Sequence, residues 1–168
     1  VTSGVPLPQE ANILNPDELS VSDSGGNIIP AQISVLSRWN GLVSDTGKPI
    51  RWVLLDFQTN LGADASETYF LKYQANKTVS SKLSISESTD KFIVSTGKAK
   101  FEISKKYFNL FDKVWTDSDQ NGVIDNLIVS QAGSGGVMLK DKNGNAYTAL
   151  LEAPEQISIE EQGTMRSV

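Results

Sequence analysis

The chain has 168 residues, 15 basic against 20 acidic side chains and a formal charge of −5. That length holds one sizeable domain or two small ones, and an acidic balance with scattered Lys and Arg argues against the basic face of a nucleic-acid binder. With neither Cys nor His, disulfides, thiolate metal sites and the Ser–His nucleophile pair are ruled out, and any catalysis would rest on carboxylates, Lys, Tyr or Arg.

No apolar run approaches the roughly 18 residues that cross a bilayer, so no membrane span is expected. The opening Val1-Thr2-Ser3, without Met, points to processing or trimming. Gly4-Val5-Pro6-Leu7-Pro8 starts the chain extended, because each proline restricts itself and the residue before it. Leu19-Ser20-Val21 reads as a short strand turning at Asp23-Ser24-Gly25-Gly26-Asn27. From Gln32 to Trp39 the side chains alternate, with Ile33, Val35 and Ser37 on one face, and Pro30 belongs at the start of that strand or on an edge.

Ile50 to Phe57 (IRWVLLDF) is nearly continuously apolar and reads as a fully buried strand. Further short strands are expected at Thr68–Tyr73, Lys82–Ser86, Phe92–Val94 and Ala99–Ser104. Lys105–Trp115, rich in aromatics at mixed spacing, is the one segment with room for a helical turn. Its aromatics read either as a sugar-stacking platform or as a plug at the open end of a β core. Later strands are read at Val137–Leu139, Ala146–Leu151 and Ile157–Ile159, the first preceded by the loose connector Gly133-Ser134-Gly135-Gly136. Glu160–Val168 reads as a strand, a turn and the start of another strand, which a longer chain or a partner would complete.

The expectation is an all-β protein: a small β-barrel over 1–75, then a β-sandwich-like set of antiparallel strands over 76–168, with at most one short helix near 105–115.

One loop speaks directly about chemistry. Asp117-Ser118-Asp119-Gln120-Asn121-Gly122-Val123-Ile124-Asp125 places oxygens at alternate positions around an Asn-Gly bend. Calcium takes six to eight oxygens at about 2.3–2.6 Å, and Asp117, Asp119, Asn121, the Val123 carbonyl and Asp125 are the candidate ligands. The bidentate Glu that closes an EF-hand loop falls on Ile128, and the flanking Val123-Ile124 and Leu127-Ile128-Val129 suit strands rather than paired helices. The alternative is a plain hairpin turn, since Asn-Gly between apolar runs is a strong hairpin signal. Asp141-Lys142-Asn143-Gly144-Asn145 reads as a hairpin turn first. Calcium as cofactor, with no Cys, fits an extracellular or cell-surface location, where millimolar calcium fills modest sites.

Gly4-Val5-Pro6-Leu7-Pro8, Ile29-Pro30-Ala31-Gln32, Leu36-Ser37-Arg38-Trp39 and Ile50–Phe57 together resemble the N-terminal RIFT-type barrel of the rhamnogalacturonan exolyase-like family. Thr96-Gly97 through Phe101-Glu102-Ile103, the turn at Gly144 and Ile157 to Gly163 (ISIEEQG) resemble the opening of that family's central β-sandwich. The resemblance implies a barrel and sandwich that precede an α/α toroid on which lyase activity mainly depends, and this chain has no toroid. It also departs from the family in the link between the two Trp-bearing strands, which here runs through Gly41–Lys48 instead of a short Asp-Gly turn.

Arg38 and Arg51 beside Trp39 and Trp52 form a candidate carbohydrate site, with indoles stacking on sugars and guanidinium groups holding carboxylates. The alternative is a packed tryptophan pair with cation–π or rim arginines. Asn76-Lys77-Thr78 matches a glycosylation sequon. Three functions compete: a non-catalytic extracellular module of a polysaccharide-active or cell-surface protein, a structural subunit assembled by strand addition, and a polysaccharide lyase fragment. The expected partners are an acidic polysaccharide or copies of the chain itself.

Overall fold

The computed structural model describes residues 1–75, 80–131 and 133–168. The Asn76-Lys77-Thr78 sequon lies outside the described residues. The first strands are β1 (Thr2–Pro6), β2 (Leu19–Ser22), β3 (Ile28–Ile29), β4 (Ala31–Arg38), β5 (Ile50–Phe57) and β6 (Phe70–Tyr73). They are followed by β7 (Ser84–Glu87), β8 (Lys91–Ser95), β9 (Ala99–Ser104), β10 (Lys113–Thr116), β11 (Asn126–Ser130), β12 (Met138–Lys140) and β13 (Ala146–Thr148). Every pairing between these strands is antiparallel. Helical structure among the described residues is limited to 3₁₀ turns at Gln9–Ala11 and Pro16–Glu18. The protein is all-β. Two compact units divide it: Val1–Ser80 with Gly163–Arg166, and Ser81–Gln162 with Ser167–Val168.

In the first unit β5 is the middle strand of a three-stranded sheet ordered β1-β5-β4, and β2 is the middle of a second ordered β3-β2-β6. Val53, Leu55 and Phe57 point from β5 into a core shared with Leu19 and Val21 of β2, and Val53 is wholly buried. The period-two face of a strand explains this, and it also explains the exposed Trp52 on the reverse face. The expected continuous burial of Ile50–Phe57 is therefore broken at Arg51 and Trp52, both exposed. Among the described residues no sheet closes into a barrel: the first sheet ends on β1 and β4 and the second on β3 and β6, so β1 and β6 each keep an unpaired edge. A cleft of about 400 Å³, lined by Val5, Val21, Leu55, Phe57 and Leu71 among others, lies against residues of the edge strands β1 and β6.

A register shift between Val35 and Ser37 sets Ser37 opposite Trp52, while Val35 stays opposite Val53. Ser37 thus leaves the face that Ile33 and Val35 share, because the bulge at Leu36 inserts one residue. Pro30 precedes β4, an edge strand, where its missing N–H costs no ladder bond.

The second unit is a five-stranded meander, β7 to β11 in consecutive order, with β12 and β13 as a separate hairpin. One row of facing residues crosses all five strands: Ile85, Val94, Phe101, Val114 and Val129. Lys105–Trp115 holds no helix; it ends in strand β10 after a run of bends. Leu110 there takes a left-handed φ of 70°, which interrupts any helical turn. The aromatic side packs only partly, with Phe111 5.2 Å from Phe101 between ring centroids. Ile157–Ile159 forms no strand, because no segment among the described residues offers it a ladder.

Candidate functional site

The Asp117–Asp125 segment joins β10 to β11 and belongs to the second unit. Thr116 faces Asn126 across the hairpin, so the loop is held at both ends by the ladder. Gln120 and Gly122 adopt left-handed φ values of 58° and 89°, and these tighten the bend that brings the loop back toward Asp117.

Asp117 is the side chain the fold turns inward. Its carboxylate is fully buried. Oδ2 accepts the Gly122 N–H at 3.2 Å and faces the Lys98 ammonium at 3.5 Å. Oδ1 has no hydrogen-bond partner among the described residues. A buried carboxylate with one orphaned oxygen is costly unless a cation or donor reaches it. A hard divalent ion takes charged oxygens of this kind, six to eight of them in the case of calcium.

The remaining candidate ligands are arranged differently. Asp119 accepts from Asn121 through both oxygens, Oδ1 from the backbone N–H at 3.3 Å and Oδ2 from Nδ2 at 2.8 Å. Asn121 Oδ1 in turn accepts the Val123 N–H at 2.7 Å. Asp119, Asn121, Val123 and Asp125 are all exposed. Among the described residues no three acidic side chains converge on one point. The loop therefore offers one buried, undersatisfied carboxylate, with the other oxygens at its exposed rim. Lys98, which the sequence reading did not single out, stands opposite Asp117 through a 3.0 Å backbone bond from the Asp117 N–H to its carbonyl. No spacing signal links the two, since they meet only across the β9–β10 hairpin.

The second turn, Asp141–Asn145, joins β12 to β13. Asp141 accepts the Asn145 N–H and Nδ2, each at 2.8 Å. These bonds to the ionised form hold its carboxyl below the usual Asp value. Both oxygens are used within the turn.

In the first unit the candidate carbohydrate residues separate by role. Arg38 is buried and donates to three backbone carbonyls: Nε to Val43 at 2.9 Å, and Nη1 to Leu14 at 2.9 Å and Lys48 at 2.8 Å. Its guanidinium thus fastens the Gly41–Lys48 connection. Half-buried Trp39 donates from Nε1 to the Leu7 carbonyl at 3.1 Å, and the Arg51 guanidinium lies 4.9 Å from its ring centroid. Trp52 is 39 % exposed on the outer face of β5, and no ring contact joins it to Trp39 among the described residues. Arg51 and Trp52 remain open to solvent, whereas Arg38 is committed to structure.

No family model matches the chain. No curated protein matches it either.

A buried acid also lies on the outer face of the first unit's β1-β5-β4 sheet. Asp56 faces Thr2 on β1 and Gln32 on β4, and its Oδ1 accepts the Thr2 hydroxyl at 2.5 Å. Gln32 Oε1 accepts the backbone N–H groups of Met165 and Arg166 at 3.0 and 3.1 Å, laying that segment over the row. Asp56 Oδ2 is buried without a partner among the described residues.

Proposed function

We propose that this chain is a non-catalytic extracellular β module, a scaffold or accessory part of a polysaccharide-active or cell-surface protein, stabilised by calcium in the Asp117–Asp125 loop. The observation that carries the metal is the orphaned Oδ1 of the wholly buried Asp117 carboxylate. Asp117, Asp119, Asn121, the Val123 carbonyl and Asp125 would supply the ligand oxygens, and water would complete the shell. The ion's work is structural: it neutralises crowded carboxylates and pins a β connection. The polysaccharide setting comes from the resemblance, supported by the solvent-facing pair Arg51 and Trp52.

Thermal unfolding in calcium and in chelator tests the metal. Calcium at about 100 times its Kd stabilises the bound form by about 2.7 kcal/mol, so Tm should rise by several degrees and Asp119→Ala should lose most of that rise. A wild-type Tm indifferent to chelator would sink the calcium reading. For the glycan, Trp52→Ala should abolish binding on an acidic-polysaccharide array while leaving the fold intact.

A second reading has its own support. The unpaired edges of β1 and β6 beside the apolar cleft favour a subunit that takes up a strand from another copy. A concentration-dependent high-mass species in light scattering would select it, and a strictly monomeric chain would reject it.

A further inference from the structure

We infer that Lys98 is a built-in competitor for the cation of the Asp117–Asp125 loop: its ammonium balances the Asp117 carboxylate when no ion is bound and gives way to solvent when calcium takes that carboxylate. The inference rests on the calcium reading above and adds the device that sets how tightly the loop holds its ion.

The geometry is asymmetric in the way a displaceable counterion requires. The two backbones are tied by the 3.0 Å bond from the Asp117 N–H to the Lys98 carbonyl, so the lysine stem always starts beside the acid. The acid cannot leave, because its side chain is fully buried, while the lysine side chain is 69 % exposed. The Nζ–Oδ2 separation of 3.5 Å exceeds the roughly 2.7–2.9 Å of a good charge-assisted bond. Lys98 thus supplies charge without a strong hydrogen bond, and its flexible four-carbon stem can swing into water at small cost.

The carboxylate is undersupplied as it stands. Its two oxygens share one N–H from Gly122 at 3.2 Å and one distant ammonium, and Oδ1 has neither. An ammonium at Oδ2 repels an incoming divalent ion, and its departure restores both oxygens as ligands. Calcium must therefore bind against one fixed positive charge. The loop keeps a counterion when calcium is scarce, and its affinity is lowered toward the millimolar range of extracellular fluid.

Calorimetric titration of the full chain with calcium chloride tests this, using wild type, Lys98→Gln, Lys98→Arg and Asp117→Asn, with circular dichroism to confirm folding. Removing one unit charge a few ångströms from a divalent ion in a solvent-bordered site should tighten binding roughly 3- to 10-fold in Lys98→Gln. Lys98→Arg should stay near wild type, and Asp117→Asn should lose binding. Equal or weaker binding in Lys98→Gln, with wild type binding normally, overturns the role of Lys98 and leaves the calcium reading standing. No heat in either wild type or Lys98→Gln at millimolar calcium removes the calcium reading and this inference with it. Retained binding in Asp117→Asn places the ion elsewhere and overturns the inference.

Discussion

Asp23 grips Asn27 with both carboxylate oxygens: Oδ1 accepts the Asn27 backbone N–H at 2.8 Å and Oδ2 accepts its Nδ2 at 2.9 Å. Asp141 holds Asn145 in the same way, and in both turns the residue before the Asn is a glycine with φ above 80°. Two hairpins, one in each unit, thus use one device. An Asp side chain closes the bend, and a glycine accepts the left-handed backbone that the closure requires.

These clasps predict an acid response. Hydrogen bonds from Asn27 and Asn145 lower both carboxyls from their ordinary 3.8. A carboxyl with a depressed folded value contributes stability above its unfolded value and loses it as pH falls through the folded one. Both turns should therefore hold fully above about pH 4 and loosen only in stronger acid. Carboxyl-carbon NMR titration should give midpoints below 3.8 for Asp23 and Asp141; a midpoint at or above it would count against the clasp.

Arg38 and Arg51 should part company on substitution. Arg38→Ala strips donors from three carbonyls that the fold packs around the guanidinium, and a cost of about 1–3 kcal/mol or more is expected from the acceptors left unsatisfied. Arg51→Ala loses one exposed cation–π contact over Trp39, worth about 0.5–1 kcal/mol. Urea unfolding read on tryptophan emission separates the two. Similar losses at both positions would contradict the division of roles.

Legibility in the sequence followed locality. β2, β4, β5 and β9 announced themselves because alternation or an apolar run is a property of the strand alone. β1 reads only as a stiff extended start, since its identity as a strand depends on β5, and Thr2 meets Asp56 there. Lys113–Thr116 hid inside an aromatic run, and its pairing with β9 is equally non-local. Ile157–Ile159 shows the opposite case: its burial alternates with period two, yet no partner strand makes it a ladder. At the candidate site, the alternating oxygen side chains and the strand-like flanks were visible. Lys98 was not, because only the β9–β10 hairpin brings it to Asp117. Nor was the role of Arg38, whose acceptors are main-chain carbonyls that leave no mark on side-chain pattern.

Gly4 gives the outer face of β5 a local test. A Cβ built there would lie 2.5 Å from Trp52 Nε1, so the indole edge uses the space that a side chain would fill. Because Trp52 is 39 % exposed, the ring can swing outward rather than force the backbone apart. Gly4→Ala should cost only about 0.5–1.5 kcal/mol, the scale of one displaced rotamer. Trp52 emission should shift to the red as the ring enters water, read in a Trp39→Phe, Trp115→Phe background. An unchanged spectrum with a large stability loss would show that the strand, not the ring, had moved.

Asn109 carries the last prediction. It is 1 % exposed, and its Nδ2 donates to Asp112 Oδ1 at 2.6 Å and to the Gln131 carbonyl at 3.2 Å. Gln131 answers with its own amide, donating to the carbonyls of Asn109 and Phe111. This reciprocal knot fastens the bends before β10 to the end of β11. Asn109→Ala leaves two acceptors short of a donor and should cost about 1–3 kcal/mol. Asn109→Asp is the sharper change, because it sets two carboxylates against each other where a hydrogen bond stood. Like charges so close cannot both ionise cheaply, so one carboxyl of the pair is raised, and a shared proton restores the bond. A raised folded value contributes stability at low pH and loses it as pH rises through that value. The variant should therefore gain stability relative to wild type on acidification from pH 7 toward about pH 5, as urea midpoints across that range would record. A pH-independent difference between variant and wild type would mean that the two carboxylates do not meet in the folded protein.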